Sequence, residues 1–211
     1  MGLFWVINDS ETRVAVWRIT ETEEELYSLS NNGFKNKFTN PKRRVEWMTV
    51  RLILKFLKID EPIEYTLNGR PFFSSGEQNI SISHSGQMVA VALNPKLHVG
   101  VDVEHIDRRY NAIESKYLSE IEKGWIDIED QKQMALTWCI KESVYKLPWS
   151  SSKYFTRDIL IPELNIQPDG GTIEVHTKEQ GFTYLLNPKY IFFDEYCLSW
   201  VTFNDQKQEE E

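Results

Sequence analysis

From His98 to Glu104 the chain reads His-Val-Gly-Val-Asp-Val-Glu, and from Trp138 to Lys146 it reads Trp-Cys-Ile-Lys-Glu-Ser-Val-Tyr-Lys. The first stretch alternates with the period of a strand, so Asp102 and Glu104 project from one face while Val101 and Val103 turn the other way, into a core. The second places Trp138, Glu142 and Lys146 at i, i+4 and i+8, stacked along one side of a helix. Carboxylates that converge in this way suit Mg²⁺, which takes hard oxygen ligands and keeps some of its waters, and the ammonium suits a phosphate. Taken singly, each pattern also has a plainer reading. The Asp-x-Glu is equally a salt-bridge pair on a solvated strand edge, and Glu142 with Lys146 is equally an ordinary surface pair worth a few tenths of a kcal/mol.

Outward from these stretches, the second helix is expected over 131–147, ended by Pro148, with a Ser150-Ser151-Ser152 loop beyond it and a capping-box pattern at Ser119 and Glu122 before it. Short strands follow around Ile159, Thr172–Val175 and Thr183–Leu186, then the pair Lys189–Phe193 and Tyr196–Phe203, then a charged tail, 205–211, expected to be disordered. Upstream, Asn79–Ser83 and Met88–Leu93 read as strands joined by a His84-Ser85-Gly86 loop, where hydroxyls and backbone could surround a phosphate or the histidine could simply bond to backbone. Asn68-Gly69-Arg70-Pro71 is a turn signal that presents Arg70 at a loop. A helix is expected over 41–58, where apolar residues recur at steps of three and four behind Pro41, and it gathers Arg44, Arg51 and Lys55 near one another. Before it come strands Leu3–Ile7 and Val14–Ile19 and a helix start at Thr20 with Glu23. Each half thus runs through a long helix to a final strand pair, which hints at a duplication.

The chain has 211 residues, 41 % of them hydrophobic and 27 % charged, the balance of an ordinary globular protein. A net charge of -8 excludes a general nucleic-acid binder, although Lys35, Lys37, Lys42, Arg43, Arg44, Arg51, Lys55 and Lys58 face only Glu46 in their stretch and could hold a small polyanion or form a solvated helix face. Met1–Asn8 lacks the basic start of a secretory signal and the hydroxyl of a myristoylation site, and no stretch has the 18 or so apolar residues of a membrane span, so a cytoplasmic protein without a membrane partner is expected. Cys139 and Cys197 have neither zinc spacing nor disulfide density and read as buried thiols. With no G-x-S-x-G elbow, nothing brings a nucleophilic serine to His84 for a Ser-His-Asp hydrolase.

The ordered series Asn-Gly-Arg-Pro, Ser-Ile-Ser-His-Ser-Gly, Val-Gly-Val-Asp-Val-Glu and Trp-Cys-Ile-Lys-Glu-Ser-Val-Tyr-Lys, over residues 68–146, resembles the 4'-phosphopantetheinyl transferase superfamily, and within it the larger, surfactin-synthetase-activating (Sfp-type) branch. The resemblance implies an α+β fold of two similar, pseudo-twofold-related halves, each a small, mainly antiparallel sheet packed on a long helix, with boundaries at 1–98 and 99–204. It implies transfer of the 4'-phosphopantetheine arm of coenzyme A to a serine of an apo acyl or peptidyl carrier protein, with Mg²⁺ or Mn²⁺, by a monomer that releases 3',5'-ADP. Residue by residue, Asp102, Glu104 and Glu142 match the acidic metal positions. Lys146 matches the lysine that contacts phosphate and Glu142, while Ser83, His84, Arg70, Arg44 and Arg51 match coenzyme A contacts. Glu142 is the expected base for the serine. One departure is Leu147-Pro148-Trp149 followed by three serines, where the family often has a Gly-Lys-Gly-like turn. A Mg²⁺-dependent nucleotide phosphohydrolase and a non-catalytic coenzyme A or carrier-protein binding module are the rival readings.

Overall fold

The computed structural model describes residues 2–30, 38–149 and 153–204. Lys35 and Lys37 of the basic stretch, the serines 150–152 and the tail 205–211 therefore lie outside the described residues. Two compact units divide the chain, Met1–Pro95 and Lys96–Glu211.

In the first unit, β1 (Leu3–Asp9) and β2 (Thr12–Arg18) lead into α1 (Glu23–Leu29) and α2 (Pro41–Phe56), followed by the short pair β3 (Glu64–Tyr65) and β4 (Pro71–Phe72) and the hairpin β5 (Asn79–Ser85) and β6 (Met88–Asn94). The main sheet is antiparallel in the order β1-β2-β6-β5. α2 packs on β2 and β6 through Met48, Leu52 and Ile53 against Ala15, Val89 and Val91, all buried. Full burial of such side chains contributes about 1.5–3 kcal/mol each, which is what fixes the helix on the sheet. The capping box of α1 is made by Thr22 and Glu25, two residues later than the expected Thr20 and Glu23. Glu21 accounts for the delay, because its carboxylate takes the Thr20 amide, the Trp17 indole and the Gly2 amide and holds this segment extended beside β1. α2 starts as expected, with Asn40 capping and Pro41 in the first turn, but stops at Phe56, since Lys58 turns to φ 60° and the Ile59 amide returns to the Leu54 carbonyl at 2.9 Å. The expected His84-Ser85-Gly86 loop is shorter than its sequence suggests. His84 and Ser85 pair with Val89 and Met88 as the end of β5, and the turn is Gly86-Gln87, with Gly86 at φ 58°.

The second unit begins with β7 (His98–His105), continues through α3 (Glu114–Tyr117), α4 (Gln131–Tyr145) and α5 (Phe155–Asp158), and ends in β8 (Ile159–Leu160), β9 (Gly171–Thr172), β10 (Val175–Glu179), β11 (Phe182–Leu186), β12 (Lys189–Phe193) and β13 (Tyr196–Phe203). Its strands form two antiparallel sheets, β7-β13-β12-β9 and β11-β10-β8. The expected single strand over 172–175 is the end of β9 and the start of β10, belonging to different sheets, with buried Ile173 between them. α4, capped by Asp130, lies on β7 and β13. Ser119 and Glu122 exchange the capping-box hydrogen bonds, yet they head only a 3-10 turn over Glu122–Gly124, because the Glu122 carboxylate also takes the Lys141 ammonium and the Ile161 amide. Cys139 and Cys197 are buried free thiols. In each unit a strand that precedes the long helix pairs with the second strand of a later hairpin, giving β2-β6-β5 in one and β7-β13-β12 in the other. No helix among the described residues is long and apolar enough to cross a membrane.

Candidate active site

The second unit builds its charged cluster on the close approach of β7 to α4. Gly100 makes that approach possible, because a Cβ there would overlap the Ser143 carbonyl oxygen of the helix. By strand alternation Gly100, Asp102 and Glu104 share the face that α4 covers, and Val101 and Val103 are fully buried on the other. Asp102 and Glu104 are themselves buried, at 3 % and 6 % exposure, so the solvated strand edge is not what forms.

Helix α4 supplies the partners. The Lys146 ammonium, at the helix C-cap, donates to Asp102 Oδ1 at 2.7 Å and to the Val101 carbonyl at 2.9 Å. Two turns earlier, the Trp138 indole donates to Glu104 Oε1 at 2.8 Å. Trp138 is held by its ring neighbours, edge-on by Tyr117 at 5.2 Å and face-on by Phe155 at 5.5 Å between centroids. Glu142 stands between these two turns. Burial first, then the negative charge of Asp102 and, against the opposing pull of Lys146, that of Glu104, push its carboxyl up to about 7. The structure thus brings Asp102, Glu104, Glu142 and Lys146 into one electrostatic neighbourhood.

Sequence reading missed two members of this cluster. Arg108 Nη1 donates to both Glu104 oxygens at 3.0 and 3.1 Å, and the Tyr110 hydroxyl lies 3.3 Å from Oε2 and donates to the His105 carbonyl at 2.8 Å. Both sit in the irregular segment after β7, where no strand or helix period aims a side chain; the basic pair Arg108-Arg109 directly after the strand was the available signal. Lys141, next to Glu142, belongs elsewhere. It is wholly buried and donates to Glu122 Oε2 and the Tyr117 carbonyl, both at 2.7 Å, and to the Phe155 carbonyl at 3.1 Å, tying α4 to the segments on its far side.

As they stand, no three His, Cys, Asp or Glu side chains among the described residues are gathered as metal ligands. The reason is visible in the pairing, since Lys146 takes Asp102 and Arg108 and Trp138 take Glu104. The donor set nevertheless fits a hard dication in its chemistry: burial and then the charges of Asp102 and Glu104 raise Glu142, and added positive charge would offset both.

The candidates of the first unit are more scattered. Arg44 is held by Glu23 through Nε–Oε1 at 2.6 Å and Nη2–Oε2 at 2.7 Å, with Nη1 on the Thr39 carbonyl at 2.7 Å. Arg51 stacks over Trp47 at 3.6 Å to the ring centroid, and burial lowers its guanidinium pKa. His84 is exposed, with Nδ1 at 3.5 Å from Glu46 Oε1 of α2, and Ser83 beside it is buried. Arg70 is half-buried after a turn in which Gly69 takes φ 79° and the Arg70 carbonyl accepts the Thr66 amide at 2.9 Å. Arg44 and Arg51 thus occupy different surroundings on one helix, and His84 is brought to a charged group of α2.

Residues 98–201 match the family model of the 4'-phosphopantetheinyl transferase superfamily, a span that contains the whole β7–α4 cluster. A Haemophilus influenzae protein named "Putative 4'-phosphopantetheinyl transferase" is 28 % identical over 134 residues, covering 58 % of this chain. The match takes in 57 % of that relative's own length, so this chain corresponds to little more than half of it. Both comparisons support a likeness to the 4'-phosphopantetheinyl transferase superfamily, and the family-model match is the one that spans Asp102, Glu104, Glu142 and Lys146.

Proposed function

We propose that this chain is a phosphopantetheinyl transferase of the Sfp-type branch, moving the phosphopantetheine arm of coenzyme A to the serine hydroxyl of an apo acyl or peptidyl carrier protein and releasing 3',5'-ADP. The observation that supports it most is the joint placement of three carboxylates and Lys146 where β7 meets α4, with Glu142 raised to about 7. Asp102, Glu104 and Glu142 would hold Mg²⁺ or Mn²⁺, which when bound neutralises pyrophosphate charge. Lys146, now on Asp102, swings to a phosphate oxygen and stabilises charge on the departing 3',5'-ADP. Glu142, which faces the metal position and the incoming hydroxyl, is the base of this reading and accepts the serine proton as the oxygen forms its bond to the β-phosphorus and the pyrophosphate bridge breaks. Arg44, Arg51, Arg70, Ser83 and His84 are assigned to the nucleotide and phosphates of coenzyme A. The pseudo-twofold relation of the halves, a monomeric state and a cytoplasmic location belong to the same reading.

Chromatographic detection of 3',5'-ADP tests it against hydrolysis. A transferase releases 3',5'-ADP only when an apo carrier with its acceptor serine is present, and a Ser→Ala carrier stops release. Release that does not depend on the carrier would make the chain a phosphohydrolase. Glu142→Gln should lower the carrier-dependent rate about 10²- to 10⁴-fold.

A further inference from the structure

Glu104 is held by two kinds of partner. Trp138 is fixed by Tyr117 and Phe155 and donates its indole hydrogen to Glu104, while Tyr110 is wholly buried with its hydroxyl hydrogen on the His105 carbonyl and its oxygen 3.3 Å from Glu104 Oε2, so a packed wall stands against the carboxylate. Arg108 is different. Its side chain is 53 % exposed, it lies on the irregular segment after β7, and it reaches both carboxylate oxygens through one nitrogen, Nη1. An exposed arginine can leave for water at little cost, whereas the wall cannot move without repacking its aromatic neighbours.

We propose that Arg108 stands in for a divalent cation at Glu104, neutralising the carboxylate until the ion displaces it, while Trp138, as a positioning residue, keeps that carboxylate aimed. This rests on the metal-binding reading of Glu104 given above. The wall accounts for how a buried carboxylate keeps its orientation, and the arginine for how its charge is tolerated without the ion. Entry of the ion breaks the two Arg108 contacts and leaves the indole hydrogen bond intact. Arg108 therefore competes with the ion, and Trp138 assists it.

The test is titration of the full chain with Mn²⁺ alone, free ion being read by its paramagnetic resonance signal, without coenzyme A or carrier. Arg108→Gln should bind Mn²⁺ about two- to fivefold more tightly than the unaltered chain, the range expected for loss of one exposed ion pair. Arg108→Lys, which keeps the charge, should stay near the unaltered value, and Trp138→Phe should bind about tenfold more weakly. Binding by Arg108→Gln that is unchanged or weaker overturns the proposal. Glu104→Gln separates the two failures: if it leaves Mn²⁺ binding untouched, the metal assignment of Glu104 falls, and if it abolishes binding while Arg108→Gln has no effect, only the role of Arg108 falls.

Discussion

Glu142 is the residue whose surroundings depart furthest from what its sequence neighbours announce. An i, i+4 pair with Lys146 reads as a surface salt bridge, yet Lys146 goes to Asp102 and leaves Glu142 in a half-buried place beside two other carboxylates. Its carboxyl rises from 4.5 to about 7, so between those values the folded chain holds a proton that the unfolded chain has lost. Stability from this group is therefore complete below about pH 4.5 and falls as pH rises through 7, reaching a penalty of at most about 3 kcal/mol. Glu142→Gln removes the penalty: its thermal midpoint in metal-free buffer should exceed that of the unaltered chain at pH 8, with the gap closing as pH falls toward 4.5. Equal midpoints at pH 8 would mean that Glu142 ionises as an ordinary surface carboxylate.

The strand β7 and helix α4 were the most legible elements, because a period of two and a period of 3.6 residues each leave a strong mark when one face must be apolar. What periodicity could not give is the distance between them, which Gly100 sets. Gly100→Ala has to push α4 off β7 by overlap with the Ser143 carbonyl, and overpacking of this kind costs about 1–3 kcal/mol. Urea unfolding should show that loss, and activity should fall with it as Lys146 and Glu142 withdraw from Asp102. The position of the box at Thr22 and Glu25 was lost for another reason, since Glu21 bonds outside its own element to Gly2 and Trp17. Lys141 and Glu122 show the same limit. Nothing in local spacing pairs residues 19 apart, yet they form a buried ion pair at 2.7 Å. Lys141→Met leaves that carboxylate buried without its cation and should cost about 3–5 kcal/mol, and adding Glu122→Gln should recover part of it. An additive double variant in urea unfolding would show that the pair is not coupled.

At the scale of the whole molecule, the candidate residues that the structure gathers most closely are those of a single unit. Asp102, Glu104, Glu142 and Lys146 were named from two short stretches, and both stretches fold within Lys96–Glu211. The residues assigned to coenzyme A in Met1–Pro95 were less legible, for their surroundings depend on partners distant in sequence: Glu23 for Arg44, Glu46 for His84. Arg108 and Tyr110 escaped notice because irregular backbone carries no period. A net charge of -8 also says little about a site whose cations are few and placed one by one. The central claim is group transfer at the β7–α4 cluster, and intact-mass spectrometry of an apo acyl carrier protein incubated with the chain, coenzyme A and Mg²⁺ tests it most directly. The carrier should gain the mass of one phosphopantetheine arm, and the gain should vanish with Asp102→Ala or without the metal; a carrier that stays unmodified, or one modified equally by Asp102→Ala, would contradict it.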